Sequence, residues 1–288
     1  MAHSFTKIPV SPGGSAARRR VLVTGAAGRI GSCFAEQTHQ RYDLRLMVRG
    51  DESRIESIKP FGEVVTANLA DLPELKRSCQ GIDTVVHLAA NPSPSATWRE
   101  LLPDNIVGTY NMMVAAKSAS VRRVIYASSV HAVGGYPTDV QVKNSEPVNP
   151  GDLYGVSKCF GEALGRYMAE QEGLSVIALR IGGFQPVEEI QKGNRVSGAA
   201  MFVSPRDLVQ LISKCIETDG LKWAVFNAVS NNAFKRLDIT DARELVGYAP
   251  QDNAATLAPE FQAANLTNPL HSASLRDPGQ KSGLREDL

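Results

Sequence analysis

Residues 21–31 read VLVTGAAGRIG and decide the fold. The β-branched run that opens this stretch is typical of a buried strand, and a helical pattern at 28–40 follows at once. Between them, Gly25 permits a tight turn, Gly28 lets a phosphate approach the backbone, and Gly31 lets the helix pack closely on the strand. Free amides at the start of that helix can then hold a pyrophosphate. An ordinary glycine-rich turn is the alternative, but the position after a buried strand favours dinucleotide binding.

Short apolar runs alternate with helical patterns along most of the chain. Runs of this length suit strands buried on both faces, and we predict seven, at 21–24, 44–48, 64–66, 84–89, 124–127, 175–179 and 225–229. Helices are predicted at 28–40, 72–80, 105–118, 153–171 and 207–218. In the longest helix, a predicted apolar stripe consists of Val156, Phe160, Ala163, Leu164, Tyr167 and Met168. The alternation predicts an α/β fold with a doubly wound parallel sheet and right-handed crossovers.

The composition excludes several classes of protein. The 288 residues include 31 Lys and Arg against 30 Asp and Glu, and this balance argues against a nucleic-acid partner. A hydrophobic fraction of 43% is enough for a sizeable core. No apolar run is long enough to span a bilayer, so no membrane partner is predicted. The four scattered cysteines contain no CxxC pair, so neither a metal site nor a disulfide framework is predicted.

Four regions differ in composition. Residues 1–20, rich in Ser, Gly, Pro and Arg, are predicted to be a flexible tail. The tail lacks the apolar segment of a secretory signal, and its lack of an amphipathic period favours a cytoplasmic location over a mitochondrial presequence. Residues 21–182 are predicted to form the dinucleotide-binding domain, and 183–250 a small substrate-binding part with a returning strand. Residues 251–288 form a polar extension, too poor in apolar residues for a core of its own.

The end of the second predicted strand carries an arginine, where a site for NAD usually has an acidic residue. A guanidinium matches the oxygens of a 2′-phosphate, so Arg49 favours NADP over NAD. Arg29, in the glycine turn, adds positive charge. The alternative is a solvated Arg49, with Asp51 as the acidic residue.

Three more residues are predicted to line the cofactor. Ile30 lies in the glycine turn. Asn68 and Leu69 follow the third predicted strand, where the adenine is expected. A helix cap or a turn is the alternative role for Asn68.

A YxxxK motif, Tyr154 to Lys158, opens the long helix. Positions i and i+4 share a helix face, so the phenol and the ammonium project together. A nearby lysine lowers the pKa of a phenol electrostatically and makes it a usable general base. The fifth predicted strand ends in Ser128 and Ser129, at the edge where the cofactor is expected. Ser129 is the predicted partner of the reacting oxygen, and a turn hydrogen bond is the expected role of Ser128.

The motifs VTGAAGRIG, HLAA, DNIVGTYN, ASS and YGVSK, in this order, resemble the extended short-chain dehydrogenase/reductase, or NAD-dependent epimerase/dehydratase, superfamily. The segments ASSVHAVGGYP, YGVSKCFGEALGRY and ALRIGGFQP are similar to its uronate dehydrogenase branch and aldose dehydrogenase relatives. The resemblance implies a Rossmann-type fold and oxidation of a sugar at C1 to a lactone with NAD or NADP. We also predict a homo-oligomer.

The resemblance implies roles for individual residues. Tyr154 matches the general base, Lys158 the lysine that binds the cofactor ribose, and Ser129 the serine that polarises the substrate. Asn105 matches an asparagine on the lysine side of the site, with a helix cap as its alternative role. Ala89 and Ala90 match the backbone beside the cofactor, and His131 matches a histidine that touches the sugar.

The residues that read the sugar differ from the pattern of the uronate dehydrogenases. Val130 stands where those enzymes usually have an asparagine, and Gly183 where they have a serine. Neither side chain can hydrogen-bond a sugar. Arg195 is the one arginine placed to bind a uronate carboxylate, and a solvated loop residue is its alternative role. An altered sugar preference is therefore predicted.

Two other functions remain open at this point. A nucleotide-sugar epimerase or dehydratase shares the fold and the Ser, Tyr and Lys residues, but it needs a larger C-terminal lobe than the stretch after Arg180 provides. A non-catalytic protein that senses NAD(P) typically loses the tyrosine or the lysine, and both are present here.

Overall fold

The computed structural model describes residues 18–50, 55–137, 139–191, 196–233 and 235–257. Its centre is a seven-stranded sheet in which every strand pair is parallel, with the order β3-β2-β1-β4-β5-β6-β9. These strands are β1 (Arg20–Thr24), β2 (Asp43–Val48), β3 (Glu63–Thr66), β4 (Thr84–His87), β5 (Arg123–Ser129), β6 (Ser175–Ile181) and β9 (Trp223–Ala228). The predicted doubly wound parallel sheet is confirmed.

Helices fill most of the connections between the strands. They are α1 (Arg29–Thr38), α2 (Ile55–Ile58), α3 (Leu72–Ser78), α4 (Trp98–Leu101), α5 (Thr109–Ser118), α6 (Leu153–Glu170), α7 (Val187–Gln191), α8 (Pro205–Glu217), α9 (Thr240–Val246) and α10 (Ala254–Leu257). A π-helical segment, Leu102–Gly108, joins α4 to α5. In the described ranges, no helix has the length and apolar character needed to cross a bilayer.

The strands are buried because they are apolar along their whole length, as expected for a parallel sheet covered by helices. Strand β4 is fully buried, and β1 is buried from its second residue onward. Alternate residues face two separate cores. Val23 and Phe226 belong to the larger core, and Leu22 and Val124 to the second.

Helix α6 buries only part of the predicted apolar stripe: Met168 is buried, and Leu164 packs against the second core. Val156 and Tyr167, assigned to an apolar stripe, are 41% and 51% exposed. The buried face instead includes Gly161 and Gly165, which bring the helix close to the sheet. A Cβ added at Gly161 would lie 2.2 Å from Cζ of Tyr126 in β5. The prediction is therefore only partly right, because the glycines form the contact with the sheet together with Leu164 and Met168.

The sheet reverses its direction of growth between β1 and β4. The chain runs from β1 outward to β3 and then crosses back to β4, on the other side of β1. The carboxyl ends of β1, β4 and β5 consequently border one crevice, the usual ligand site of such a sheet. Thr24, His87 and Ser129 are the last residues of these three strands.

The region after β6 stays attached to the main sheet. Strand β9 returns to pair with β6, while β7 (Gly183–Phe184) and β8 (Phe202–Val203) form a separate two-stranded parallel sheet. The buried Asp207 carboxylate accepts hydrogen bonds from the backbone N–H groups of Gln251 and Asp252, at 2.9 and 3.0 Å. The first residues of the predicted polar extension are therefore anchored, and residues 258–288 lie outside the described part of the chain.

We predict that Gly161→Ala destabilises the protein by about 1–3 kcal/mol, because the new methyl group overpacks a buried aromatic ring. Tyr126 is 1% exposed and cannot move into solvent. Urea unfolding measures the change. Val156→Ala, at an exposed position of the same helix, is the matched control and should shift the free energy of unfolding by less than about 0.5 kcal/mol. Equal stability of the two variants would contradict the packing argument.

Candidate active site

The three glycines of the first turn have distinct geometric roles. Gly25 has a φ of +65°, and a Cβ there would lie 3.0 Å from the backbone of Ala89. The Gly28 N–H donates to the Gly25 carbonyl at 3.0 Å and closes the turn. A Cβ on Gly31 would lie 2.3 Å from the same carbonyl, so only glycine allows α1 to start this close to β1. Gly28 begins α1 without a side-chain cap, which leaves the first helical amides suited to an anion.

Thr24 joins the ends of β1 and β4, a role that the sequence reasoning missed. Its buried Oγ1 accepts the N–H groups of Leu88 and Ala89, both at 3.1 Å, and lies 2.8 Å from Nδ1 of His87. Burial, assisted by the nearby charge of Lys158, lowers the pKa of His87 to about 3, so the imidazole is neutral. These bonds fix the segment that leads into Ala90.

Tyr154 and Ser129 meet at the end of β5. Tyr154 is 8% exposed, and the Ser129 hydroxyl lies close enough to its phenol to act on the phenol pKa. Burial raises the pKa of Tyr154 to about 12, the Ser129 hydrogen bond opposes this rise, and the Asp152 carboxylate adds to it. The two residues predicted to act on the reacting oxygen are thus in contact.

Lys158 lies one turn after Tyr154 and is almost fully buried. Its Nζ donates to the Ala127 carbonyl at 2.8 Å and lies 5.2 and 5.5 Å from the ring centroids of Tyr126 and Tyr154. Burial lowers the pKa of Lys158 to about 7. The prediction that Lys158 lowers the phenol pKa is not reproduced: burial raises the pKa of Tyr154, and Ser129, rather than Lys158, is the group that opposes the rise.

His131 is paired with Asp152, a residue absent from the sequence predictions. Nδ1 of His131 lies 2.7 Å from Oδ2 of Asp152, whose side chain is 3% exposed. Oδ1 of the same carboxylate accepts the Gly155 N–H at 2.7 Å and caps α6. The His131 ring stands edge-on to Tyr154, with 5.3 Å between the ring centroids. The His131 ring therefore lies beside the Tyr154 phenol, and Asp152 holds it through Nδ1.

Asn105 connects two segments of the site, and its hydrogen bonds within the described residues go to Asn91 and Ser157 rather than to Lys158. It is fully buried in the π-helical segment, not at a helix cap. Its Nδ2 donates to the Asn91 carbonyl at 3.0 Å and to Ser157 Oγ at 2.9 Å, while its Oδ1 accepts the Asn91 N–H at 2.8 Å. Asn105 thereby ties the loop after β4 to α6. A π-helical turn of this kind is frequent at functional sites.

Ser128 takes part in a buried ion pair rather than in a turn. Its hydroxyl donates to Glu162 Oε1 at 2.6 Å, and Arg180 binds both oxygens of that carboxylate at 2.9 Å. Glu162 and Lys158 are four residues apart on α6, so this pair lies directly behind the catalytic candidates. It joins α6 to β5 and β6.

The two predicted phosphate-binding arginines make protein contacts. Arg29 Nη2 donates to the Phe184 carbonyl of β7 at 3.2 Å, while its neighbour Ile30 packs against the larger core. Arg49 is 70% exposed, and its Nη1 lies 3.5 Å from Oδ2 of Asp104. Asp51, the alternative acidic residue, lies outside the described residues.

Asn68 has the turn geometry that was its alternative role. Its Oδ1 accepts the Ala70 N–H at 2.9 Å. Leu69 is buried, and its carbonyl accepts Nδ2 of Asn111 at 2.9 Å. The segment after β3 is held in place by these bonds.

The predicted sugar-reading positions are only partly described. Val130 is half-buried and packs against the larger core, and Gly183 is exposed in β7. A Cβ on Gly183 would meet nothing closer than 3.8 Å, so the missing side chain is not a packing requirement. Arg195 lies outside the described residues.

Known proteins match most of this chain. The NAD dependent epimerase/dehydratase family model matches residues 21–184. The chain is 36% identical over 253 residues to the NAD-dependent glucose-6-phosphate dehydrogenase of Haloferax volcanii, covering 82% of this chain and 94% of the relative. It is 35% identical to the L-arabinose 1-dehydrogenase (NAD(P)(+)) of the same organism, over 83% of this chain and 98% of the relative.

Solved structures show the same likeness. A variant of uronate dehydrogenase from Agrobacterium tumefaciens, complexed with NAD, superimposes with a TM-score of 0.77 at 31% identity, covering 86% of this chain and 91% of that one. The family match covers more than half of the present chain, and the fold agrees. The chain therefore belongs to the NAD dependent epimerase/dehydratase family.

Proposed function

We propose that this protein is an NAD(P)-dependent dehydrogenase that oxidises a free or phosphorylated sugar at C1 to a lactone. The observation that carries the proposal is the contact of Tyr154 with Ser129 at the carboxyl end of β5, with Lys158 beside the phenol. Relatives named for oxidation of glucose 6-phosphate, L-arabinose and uronate support the same chemistry.

The described residues fit a nicotinamide dinucleotide. The uncapped start of α1 at Gly28 offers amides to the pyrophosphate, and the absence of a Cβ at Gly25 keeps the Ala89 backbone close. Gly31, Leu69 and Ala90 continue the predicted contact surface. When bound, the cofactor accepts the hydride that leaves the sugar C1.

The chain's own groups handle the proton. Tyr154 takes the proton of the C1 hydroxyl, and Ser129 hydrogen-bonds the same oxygen. The charge that forms on the phenol oxygen is stabilised by the Ser129 hydrogen bond and by the ammonium of Lys158, in a site with little water. Asn105 holds α6 against the loop after β4, and this fixes the position of Tyr154 and Lys158 on the helix relative to that loop.

The sugar preference is proposed to depend on residues 183–250 and on the stretch after β5. Val130 and Gly183 offer no hydrogen-bonding side chain, so the sugar hydroxyls that the asparagine and serine of uronate dehydrogenases would bind have no such partner at these positions. His131 remains as a partner for a hydroxyl, and Arg195 as a partner for a carboxylate or phosphate. We therefore propose acidic or phosphorylated sugars as better substrates than neutral aldoses.

Assembly and location are proposed from the sequence. Exposed apolar residues on neighbouring helices, Tyr110 of α5 and Tyr167 of α6, are 50% and 51% exposed and are candidates for the contact in the predicted homo-oligomer. The cytoplasm, which holds the nicotinamide dinucleotides, is the proposed location.

The function is tested with aldoses, uronates and sugar phosphates, supplied with NAD and NADP while the reduced cofactor is followed. We predict that Tyr154→Phe lowers kcat on the best sugar by on the order of 10²–10⁴, because the general base is lost while packing is kept. Tyr167→Phe, on the exposed face of α6, is the control and should leave kcat unchanged. No turnover of free cofactor with any sugar, or an active Tyr154→Phe variant, would refute the proposal.

The cofactor preference is tested by Arg49→Ala. We predict that the ratio of kcat/KM with NADP to that with NAD falls on the order of 10-fold, since a phosphate partner is removed. Arg166→Ala, an exposed arginine on α6, should leave the ratio unchanged. An unchanged ratio in Arg49→Ala would show that Arg49 does not set the cofactor preference.

Lys158→Met should stabilise the protein in the absence of cofactor, because it removes a buried charge. The folded-state pKa of Lys158, about 7, lies below the usual 10.5, so burying the ammonium costs most below pH 7. Thermal unfolding should therefore show a Tm several degrees above that of the unmodified protein at pH 6, and the gain should shrink as the pH rises toward 10. Lys117→Met, at an exposed lysine, should show no such pH dependence. A lower Tm for Lys158→Met at pH 6 would contradict the burial argument.

A further inference from the structure

The Asp152 carboxylate is divided between two partners. One oxygen accepts the Gly155 N–H and caps α6, and the other lies 2.7 Å from Nδ1 of His131. An ionised carboxylate can only accept hydrogen bonds. A neutral His131 in this contact must therefore carry its proton on Nδ1, which leaves a lone pair on Nε2.

The lone pair of Nε2 has no hydrogen-bond donor among the residues that the structure describes. Within the five described ranges, no group forms a hydrogen bond to Nε2 of His131. The ring stands edge-on to Tyr154, and the backbone N–H of His131 donates to Ser129 Oγ at 3.2 Å. The imidazole is thus fixed next to both groups that act on the substrate oxygen.

We propose that Asp152 is a positioning residue that holds His131 as the Nδ1–H tautomer, so that Nε2 accepts a hydrogen bond from a sugar hydroxyl. Asp152 does not touch the substrate and acts through the histidine. The inference rests on the proposed sugar oxidation for its kinetic consequence, whereas the tautomer itself is independent of any reaction. An Nε2 acceptor requires a donor on the substrate, so the site would select sugars with a hydroxyl group next to the reacting carbon.

Asp152→Asn separates this role from helix capping. Asparagine is as good a cap as aspartate, and its carbonyl oxygen can keep the Gly155 N–H. Its amide N–H groups then face His131 and donate to Nδ1, which moves the imidazole proton to Nε2. The substitution therefore converts Nε2 from an acceptor to a donor with little change in shape.

The first measurement is a long-range ¹H–¹⁵N correlation spectrum of the full-length protein labelled with ¹⁵N-histidine. The chain has five histidines, and His131→Ala assigns the signal of interest. We expect the Nδ1–H tautomer in the unmodified protein and the Nε2–H tautomer in Asp152→Asn. An Nε2–H tautomer in the unmodified protein would overturn the proposal, even if the variant failed to fold.

The second measurement is a double-mutant cycle on kcat/KM with the best sugar. Asp152→Asn should lower kcat/KM on the order of 10-fold when His131 is present, which is the loss of about one hydrogen bond. The same substitution in a His131→Ala background should change it less than about 2-fold, because the partner through which it acts is gone. Equal losses in both backgrounds would assign Asp152 a merely structural role.

Asp71→Asn is the matched control for capping. Asp71 caps α3 by accepting the Glu74 N–H at 2.9 Å, with no histidine partner. It should leave both the His131 signal and kcat/KM unchanged. If no sugar were oxidised at all, the proposed function would fail, while the spectrum would still decide the tautomer.

Discussion

The close approach of two helices to the parallel sheet, which only glycine permits, is the constraint on which the site depends. At Gly31 a Cβ would lie 2.3 Å from the Gly25 carbonyl, and at Gly161 it would lie 2.2 Å from the Tyr126 ring. The first contact sets where the amides of α1 point, and the second sets how far Tyr154 projects beyond the end of β5. The positions of α1 and α6 at the two edges of the crevice therefore depend on the absence of a side chain at Gly31 and at Gly161. A methyl group added at either glycine would push its helix away.

Glu162, Arg180 and Lys158 are buried charged residues, and they differ in whether a partner of opposite charge lies beside them. Glu162 and Arg180 form a two-pronged pair that also binds Ser128, so each charge has a partner of opposite sign. Lys158, four residues before Glu162, has no carboxylate partner within the described part of the chain and interacts there with the Ala127 carbonyl and two aromatic rings. Breaking the pair would leave an uncompensated charge, whereas removing Lys158 would relieve one. Lys158, which is proposed to take part in catalysis, is thus the residue whose burial lowers stability. Such a loss of stability is common at functional sites.

The sequence predicted the sheet well because its strands are continuous apolar runs that need no partner to be recognised. It failed where tertiary contacts decide. Tyr167 lies on the exposed face of α6, because the helix packs on the sheet through the face that contains its glycines. The pairing of His131 with Asp152 joins residues 21 positions apart, and no local pattern marks it. Their proximity follows only from the loop that brings the start of α6 back to the end of β5.

The proposed proton-handling residues and the proposed sugar-binding residues lie on different segments of the chain. The cofactor chemistry and the sugar preference can therefore change separately. The proposed proton-handling groups sit on β5 and α6, which are anchored by the buried pair of Glu162 and Arg180 and by Asn105. Gly183, by contrast, sits in a two-residue strand that pairs only with β8, and its exposed position has room for a side chain. A substitution there costs little packing, whereas one at Ser129 or Glu162 disturbs several buried bonds. Variation in the sugar is therefore expected to concentrate in the segment after β6, on a scaffold that holds the reacting groups still.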